Sequence, residues 1–250
     1  MAFRTIVTKE YLRFVRIWVQ TVLPPMVTTS LYFIIFGGLI GSRIGDMDGL
    51  RYIDFIVPGL ILLAVITNSY SNVVSSFFSA KFQRHIEEIL VSPTSSHAVV
   101  LGFIGGGVAR GLLVGGGVFA IALLFAEPRI EHPALAVLLL LLTSTLFSIA
   151  GLINGVFART FDDISIVPTF VLTPLTYLSG VFYTIQLLPP FWQTVSLVNP
   201  ILYMVDGFRF SLYGQSDIHI ASSLGVLILF NTLAYLLAWQ LIERGIGTRK

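Results

Sequence analysis

The sequence predicts an all-α membrane protein: six transmembrane helices, an N-terminal amphipathic interface helix, a re-entrant helical hairpin between spans 5 and 6, and both termini cytoplasmic. Three observations predict it. Hydrophobic residues make up 55% of the 250-residue chain and charged residues only 11%, with a mean hydropathy of +0.87, a balance that excludes an ordinary soluble domain. From Ile164 to Val205 there is no Asp, Glu, Lys or Arg, a run longer than the roughly 20 apolar residues that one crossing helix needs. Lys and Arg also collect on one set of loops.

Residues 1–23 hold the interface helix. Phe3, Val7, Tyr11, Phe14 and Trp18 recur at helical spacing on one face, and Lys9, Arg13 and Arg16 gather opposite, the pattern of a helix lying flat on a membrane surface. No small-residue cleavage site ends a short apolar core, so the segment is expected to stay in the mature protein. Pro24 and Pro25 are expected to break the helix and turn the chain into the first span, 26–42, which ends in the polar loop GSRIGDMDGLRYID. The second span, 55–78, leads into the charged loop 79–97. There Ile86, Ile89 and Leu90 share one face of a short helix, with Arg84, Glu87 and Glu88 on the others, and Ser92-Pro93 reads as a cap and first-turn pair for the next helix. The third span, 98–125, is rich in glycine, which lets membrane helices approach closely. The fourth, 133–157, is Leu-rich, and the loop FARTFDD follows it. Asp162 and Asp163 point about 100° apart on a helix, so they read as caps of the fifth span and not as a catalytic dyad.

Pro168, Pro174, Gly180, Pro189, Pro190 and Pro200 punctuate the uncharged run. One full span is expected at 164–186. A re-entrant or interfacial hairpin follows at 187–214 and breaks after Asn199, with Asn199 as cap and Pro200 in the first turn. Broken backbone at membrane depth survives only against protein or a watery cavity, which makes this stretch a candidate wall or gate of a pathway. The last span is 220–242. Ten Lys and Arg fall on the N-terminal segment, the 79–97 and 157–163 loops and the tail. Only Arg43, Arg51, Arg129 and Arg209 fall opposite, so both termini are expected in the cytoplasm. No repeat or linker divides the chain, and 1–250 reads as a single domain.

Several chemistries are excluded by residue type. The chain has no cysteine, and its only lysines, Lys9, Lys81 and Lys250, do not follow a glycine, so no P-loop exists. Any ATP-driven role requires another subunit. His85, His97, His132 and His219 are scattered without metal-ligand spacing, and no G-x-S-x-G elbow is present. Arg110, in the middle of the third span, costs about 2.5–3.5 kcal/mol to insert. It reads as an anionic-substrate contact or gating pair, or as a structural donor to the carbonyls of a broken helix; Asp54 and Asp206 lie near the external boundary. Tyr177, Phe182, Tyr183, Phe191, Trp192 and Tyr203 line a substrate path or form an interfacial aromatic belt, the belt being the better reading for Trp192 and Tyr203.

Pro200-Ile201-Leu202-Tyr203, followed after five residues by Arg209 and preceded by the apolar fifth span, resembles the signature of the membrane subunits of ABC type-2 exporters, close to the YadH-like permeases. The 79–97 loop, with Arg84, Glu87, Glu88, Leu90 and Ser92-Pro93, is similar to that family's coupling-helix segment, and the likeness runs along essentially the whole chain. The resemblance implies a homodimer of six-span subunits among the lipids of the bacterial inner (cytoplasmic) membrane. A separate cytoplasmic ABC ATPase subunit would dock under each and hold ATP and Mg2+. This chain then binds no cofactor, is not itself an enzyme, and meets no nucleic acid. Closure of the ATPases would push on residues 81–92, rock the spans and open a path between subunits outward. Arg84, Glu87, Glu88, Leu90, Ser92 and Pro93 would couple to the ATPase. Arg110, Tyr177, Phe182 and Tyr183 would line the path or gate, and Pro200, Tyr203 and Arg209 carry the family motif.

The expected cargo is hydrophobic or amphipathic, drug-like or lipid-linked, with a polysaccharide or lipo-oligosaccharide as the alternative. A competing class is an ion-coupled carrier or channel acting without an ATPase, for which the spans offer no central carboxylate to relay protons. An intramembrane enzyme would need a nucleophile–base or metal constellation that the sequence does not contain.

Overall fold

The computed structural model describes residues 2–86 and 94–247. Helix α1 (Ala2–Arg16) closes in a turn at Ile17, and α2 (Trp18–Ile44) begins at once. The expected break at Pro24-Pro25 is absent; both prolines lie inside α2. Each lacks an N–H and so strips the carbonyl four residues back, of Gln20 and of Thr21, of its helical donor. Membrane helices tolerate such a gap where protein or a cavity takes up the freed groups, and Gln20, Thr21 and both prolines border a cavity. The second half of α2, Phe33–Ile40, widens into a π-helix.

The loop after α2 is a small hairpin. Strands β1 (Asp46–Met47) and β2 (Leu50–Arg51) pair antiparallel around Asp48 and Gly49, at φ of 51° and 75°. Asp-Gly with both residues at positive φ is the type I′ turn that suits a two-residue hairpin. The chain continues through α3 (Tyr52–Phe82), α4 (Ser96–Phe125), α5 (Pro133–Phe157), α6 (163–177), α7 (Pro190–Leu197), α8 (Pro200–Tyr213) and α9 (Ile220–Glu243). The hub is α3, against which α4, α5 and α8 pack, while α9 lies outside α5 and α8. Among the described residues five helices are long and apolar enough to cross a membrane: α2, α3, α4, α5 and α9.

The expected span at 164–186 is not one continuous helix. Pro168 and Pro174 remove two donors, and the Thr173 N–H reaches five residues back to the Pro168 carbonyl, so α6 contains a π segment at Pro168–Leu172. It ends at Tyr177, rising about 22 Å against a hydrocarbon core of about 30 Å. The chain then turns through Gly180, at φ 71°. The two short helical pieces expected beyond it are α7 and α8, separated at Val198-Asn199.

Local chemistry sets the helix ends. Asn199 Oδ1 accepts from Ile201 N at 3.0 Å with Pro200 in the first turn of α8, as the sequence predicts. Ahead of α6, Thr160 and Asp163 form a capping box: Asp163 Oδ2 accepts from Thr160 N at 3.0 Å, and Thr160 Oγ1 accepts from Asp163 N at 3.3 Å. Asp162 makes no cap bond with its side chain. Before α4 the cap is Ser95, whose hydroxyl accepts from Ala98 N at 3.3 Å. The expected Ser92-Pro93 pair lies outside the described residues, three positions too early.

The glycines of α4 do what small residues permit. A Cβ at Gly102 would come within 2.6 Å of Ile6, and one at Gly106 within 2.5 Å of the Glu10 side chain, so α1 is seated directly on α4. Gly107 and Gly111 admit the Ser148 and Ser69 side chains in the same way.

Candidate translocation site

Although α3 is enclosed by its neighbours, Leu63, Thr67, Ser71, Ser75 and Ser79 stay partly exposed. Residues four apart share a helix face, so these form one line along α3, and four of the five carry hydroxyls. Two cavities open on this line. The first, of about 410 Å³, lies between α2, α3 and α4, where Thr28, Thr67, Asn68 and Arg110 border it. The second, of about 500 Å³, lies between α2, α3 and α6, bordered by Ser71, Tyr70, Thr176, Tyr177 and Phe182. Tyr32, Leu63 and Thr67 belong to both walls, which makes the two cavities neighbours along one path.

The structure brings most of the expected path residues to these cavities. Phe182 stands with its ring centroid 5.0 Å from Phe36 and 6.1 Å from Tyr32, and its carbonyl accepts from the Tyr52 hydroxyl at 3.1 Å. Tyr177 borders the second cavity, and the Tyr183 hydroxyl bonds the Tyr177 carbonyl from outside the lining. Tyr70 reaches the same cavity while its hydroxyl accepts from Asn154 Nδ2 at 2.7 Å. Phe191 and Trp192 pack edge to face, both exposed and away from either cavity. Tyr203 donates to the Leu197 carbonyl at 2.8 Å.

Among the described residues Arg110 bonds no backbone carbonyl, neither in the continuous α4 nor at the prolines of α2. Its Nη2 donates to Asn68 Oδ1 at 3.3 Å. Neither Asp54 nor Asp206 reaches it. Asp54 Oδ2 pairs with Arg51 Nε at 2.7 Å, and Asp206 accepts from the backbone of Asp217 and Ile218 at 2.8 and 3.1 Å.

One turn along α3, the sequence reading missed a second polar group. Arg13 of α1 was expected on a solvated face. Instead its Nη2 donates to the backbone carbonyl and to Oδ1 of Asn72, each at 2.8 Å. Glu10, fully buried, accepts from the Ser76 hydroxyl at 2.6 Å and lies 3.4 Å from Arg13 Nε. The inward face of α1 is therefore Ile6, Glu10, Arg13 and Phe14, while Phe3, Tyr11 and Trp18 remain outside. The spacing Glu10–Arg13 and the pair Asn68–Asn72 were visible signals, but only the packing of α1 on α3 and α4 joins them.

The motif residues hold the far ends of the helices together. Arg209, almost wholly buried, donates from Nη2 to the Gly180 carbonyl at 2.8 Å and lies 3.9 Å above the Phe55 ring. It thereby ties α8 to the turn after α6 and to α3. Asn199, beside Pro200, adds a second tie from α8 to α6 through Nδ2 to the Leu175 carbonyl at 2.6 Å.

At the opposite ends, Arg84 closes α3 in the left-handed region, at φ 62°. Lys81 caps α5, donating to the carbonyls of Gly155, Val156 and Ala158. Glu87, Glu88, Leu90, Ser92 and Pro93 lie outside the described residues.

Comparison with known proteins agrees with this architecture. The sequence model of the family described as ABC-2 type transporter matches residues 1–213. The chain is 59% identical over 249 residues to the inner membrane transport permease YadH of Escherichia coli strain K12, a match covering 100% of this chain and 97% of that one. It is 23% identical over 237 residues to nodulation protein J of Rhizobium meliloti strain 1021, covering 94% and 90%, and 24% identical over 217 residues to nodulation protein J of Sinorhizobium fredii strain NBRC 101917 / NGR234, covering 86% and 82%. A likeness that runs the length of the chain, on a bundle of apolar helices, shows that it belongs to the ABC-2 type transporter family, as an inner-membrane permease.

Proposed function

We propose that this chain is the membrane half of an exporter that moves a hydrophobic or amphipathic molecule, drug-like or lipid-linked, between two copies of itself. A separate cytoplasmic ATPase, holding ATP and Mg2+, drives it. The observation that carries the proposal is the row Thr67, Ser71, Ser75 and Ser79 on the hub helix, of which Thr67 borders both cavities and Ser71 the second. Hydroxyls gain little against lipid, but beside aromatic and proline walls they suit a cargo with both polar and apolar parts. The same row suits a polysaccharide or lipo-oligosaccharide, the second reading within this class. In this reading α6 and the turn after it make the fifth of six crossings, α7 and α8 form the re-entrant hairpin, and both termini face the cytoplasm. Arg84, Glu87, Glu88, Leu90, Ser92 and Pro93 receive the ATPase stroke. Arg209 holds the external ends closed until that stroke arrives.

The test is purification of the tagged chain in mild detergent from its native membranes, with ATP hydrolysis assayed on what elutes. A stoichiometric P-loop partner, and hydrolysis abolished by mutating that partner's lysine, is the expected result. A lone oligomer that still moves solute would sink the proposal and favour an ion-coupled carrier or channel.

A further inference from the structure

We infer that the cavity beside Arg110 receives the anionic head of an amphiphile, a phosphate or carboxylate, with the apolar body against Pro24, Pro25, Leu60 and Leu63. This names the chemistry of a site within the pathway and rests on the permease reading above.

The balance of charge carries the inference. Arg13 and Arg110 come from different helices and bind Asn72 and Asn68, one turn apart on the same side of α3. Glu10 is the carboxylate of this group, and it is already engaged by Arg13 and Ser76. One positive charge is left over. Arg110 has no acidic partner among the described residues. An arginine at membrane depth without a counter-charge is expensive, and such residues mark substrate and ion sites.

The geometry fits an anion. Guanidinium offers five N–H donors. Asn68 takes one at 3.3 Å, Nε is buried without an acceptor, and the residue borders the cavity. A planar fork with donors to spare matches the paired oxygens of a carboxylate or phosphate, whereas an ammonium would be repelled. The cavity wall adds the hydroxyls of Thr28 and Thr67 and the amide of Gln20. The carbonyls of Gln20 and Thr21, which lose their helical donors at Pro24 and Pro25, can only accept, so they suit hydroxyls carried on the same head group. Glycerol phosphate has that combination.

The test uses the chain purified in a neutral maltoside detergent with whatever ATPase subunit accompanies it. Native mass spectrometry counts phosphatidylglycerol retained against phosphatidylcholine of the same acyl chains, offered at equal concentration. Wild type is expected to prefer phosphatidylglycerol about tenfold, the scale of one charge-assisted hydrogen bond. Arg110→Gln should lose the preference, and Arg110→Lys should keep part of it. Equal retention of the two lipids by wild type overturns the inference whatever the variants do, as does a preference unchanged in Arg110→Gln. A second arm adds dodecyl phosphate and follows ATP hydrolysis. Stimulation in wild type alone identifies the anion as cargo, and binding without stimulation identifies a resident lipid head; either supports the shared chemistry. Failure of the permease reading would appear separately, as a preparation with no ATPase subunit.

Discussion

Arg13 of α1 gives one guanidinium nitrogen to both carbonyl oxygens of Asn72 in α3, backbone and side chain, at 2.8 Å each. The N-terminal helix is thus fastened to the hub helix one turn beyond Asn68, which borders the first cavity. With Glu10 bonded to Ser76 one turn on, α1 shares a buried polar seam with α3, the helix that bears the hydroxyl row.

That seam predicts strong coupling between Glu10 and Arg13. Arg13→Met leaves a buried carboxylate without its cation and should cost about 3–5 kcal/mol, whereas adding Glu10→Gln should recover a large part of the loss. Thermal unfolding of wild type, both single variants and the double variant in one detergent measures this. Losses that simply add would show that the pair is not a unit.

The glycine face of α4 predicts two outcomes from one substitution. Gly106→Ala drives a methyl group against Glu10 and should destabilise by about 1–3 kcal/mol. Gly116→Ala, in the same helix with nothing within 4 Å of the new atom, should be neutral or mildly stabilising. Equal melting temperatures for the two variants would contradict the seating of α1 on α4.

The capping box at α6 makes a pH prediction. The N–H of Arg159, and then that of Thr160, hold the Asp163 carboxyl below the usual carboxylate range. A folded pKa below the unfolded value of about 3.9 gives stability that is complete above that value and lost as pH falls through the folded pKa. Asp163→Asn should therefore melt earlier than wild type at neutral pH, with the gap closing below about pH 4. A gap that stays constant down to pH 3 would mean the charge is not what the backbone reads.

How far the sequence reveals this protein depends on how local the cause is. The Asn199-Pro200 start of α8 and the glycine packing of α4 were legible because a cap or a small residue acts on its immediate surroundings. The break at Ile17 was not, since neither Gly nor Pro marks it, while the prolines that seemed to mark one lie inside α2 beside a cavity. The Asp48-Gly49 hairpin carried its signal openly in a stretch read as plain loop. Of the site, the aromatic residues and Arg110 stood out by type. The serine row on α3 did not, because hydroxyls spaced through an apolar span look like tolerated polarity until their exposure is seen to fall on one line. Arg13 was placed on the polar face of the N-terminal helix, and Glu10 drew no notice, for a related reason: a helical wheel shows a polar face but not the asparagines waiting opposite it.

Arg84 separates a structural role from a coupling role. A non-glycine residue in the left-handed region carries roughly 1–2 kcal/mol of strain, which glycine would relieve. Arg84→Gly should keep or raise the melting temperature while lowering the ATP hydrolysis stimulated by the permease. Glu87→Ala with Glu88→Ala should likewise weaken coupling and leave membrane insertion intact. Full stimulation in these variants would remove them from the docking surface.

The last prediction concerns the run between Asp163 and Gln215, where α6 is too short to span unaided, at about 22 Å against about 30 Å. If α6 and the turn through Gly180 cross once, and α7 and α8 dip in and return, then Thr160 and Gln215 face opposite sides of the membrane. If the hairpin crosses as well, they face the same side, and the basic tail with Arg244 is carried out of the cytoplasm, against the bias of Lys and Arg. The chain has no native cysteine, so each one introduced is a lone reporter. In intact cells a membrane-impermeant maleimide should label Asp48→Cys and Gln215→Cys, both on exposed loops, and reach Thr160→Cys only after permeabilisation. Labelling of Thr160→Cys and Gln215→Cys from the same side would require an even number of crossings between them and would end the six-span topology.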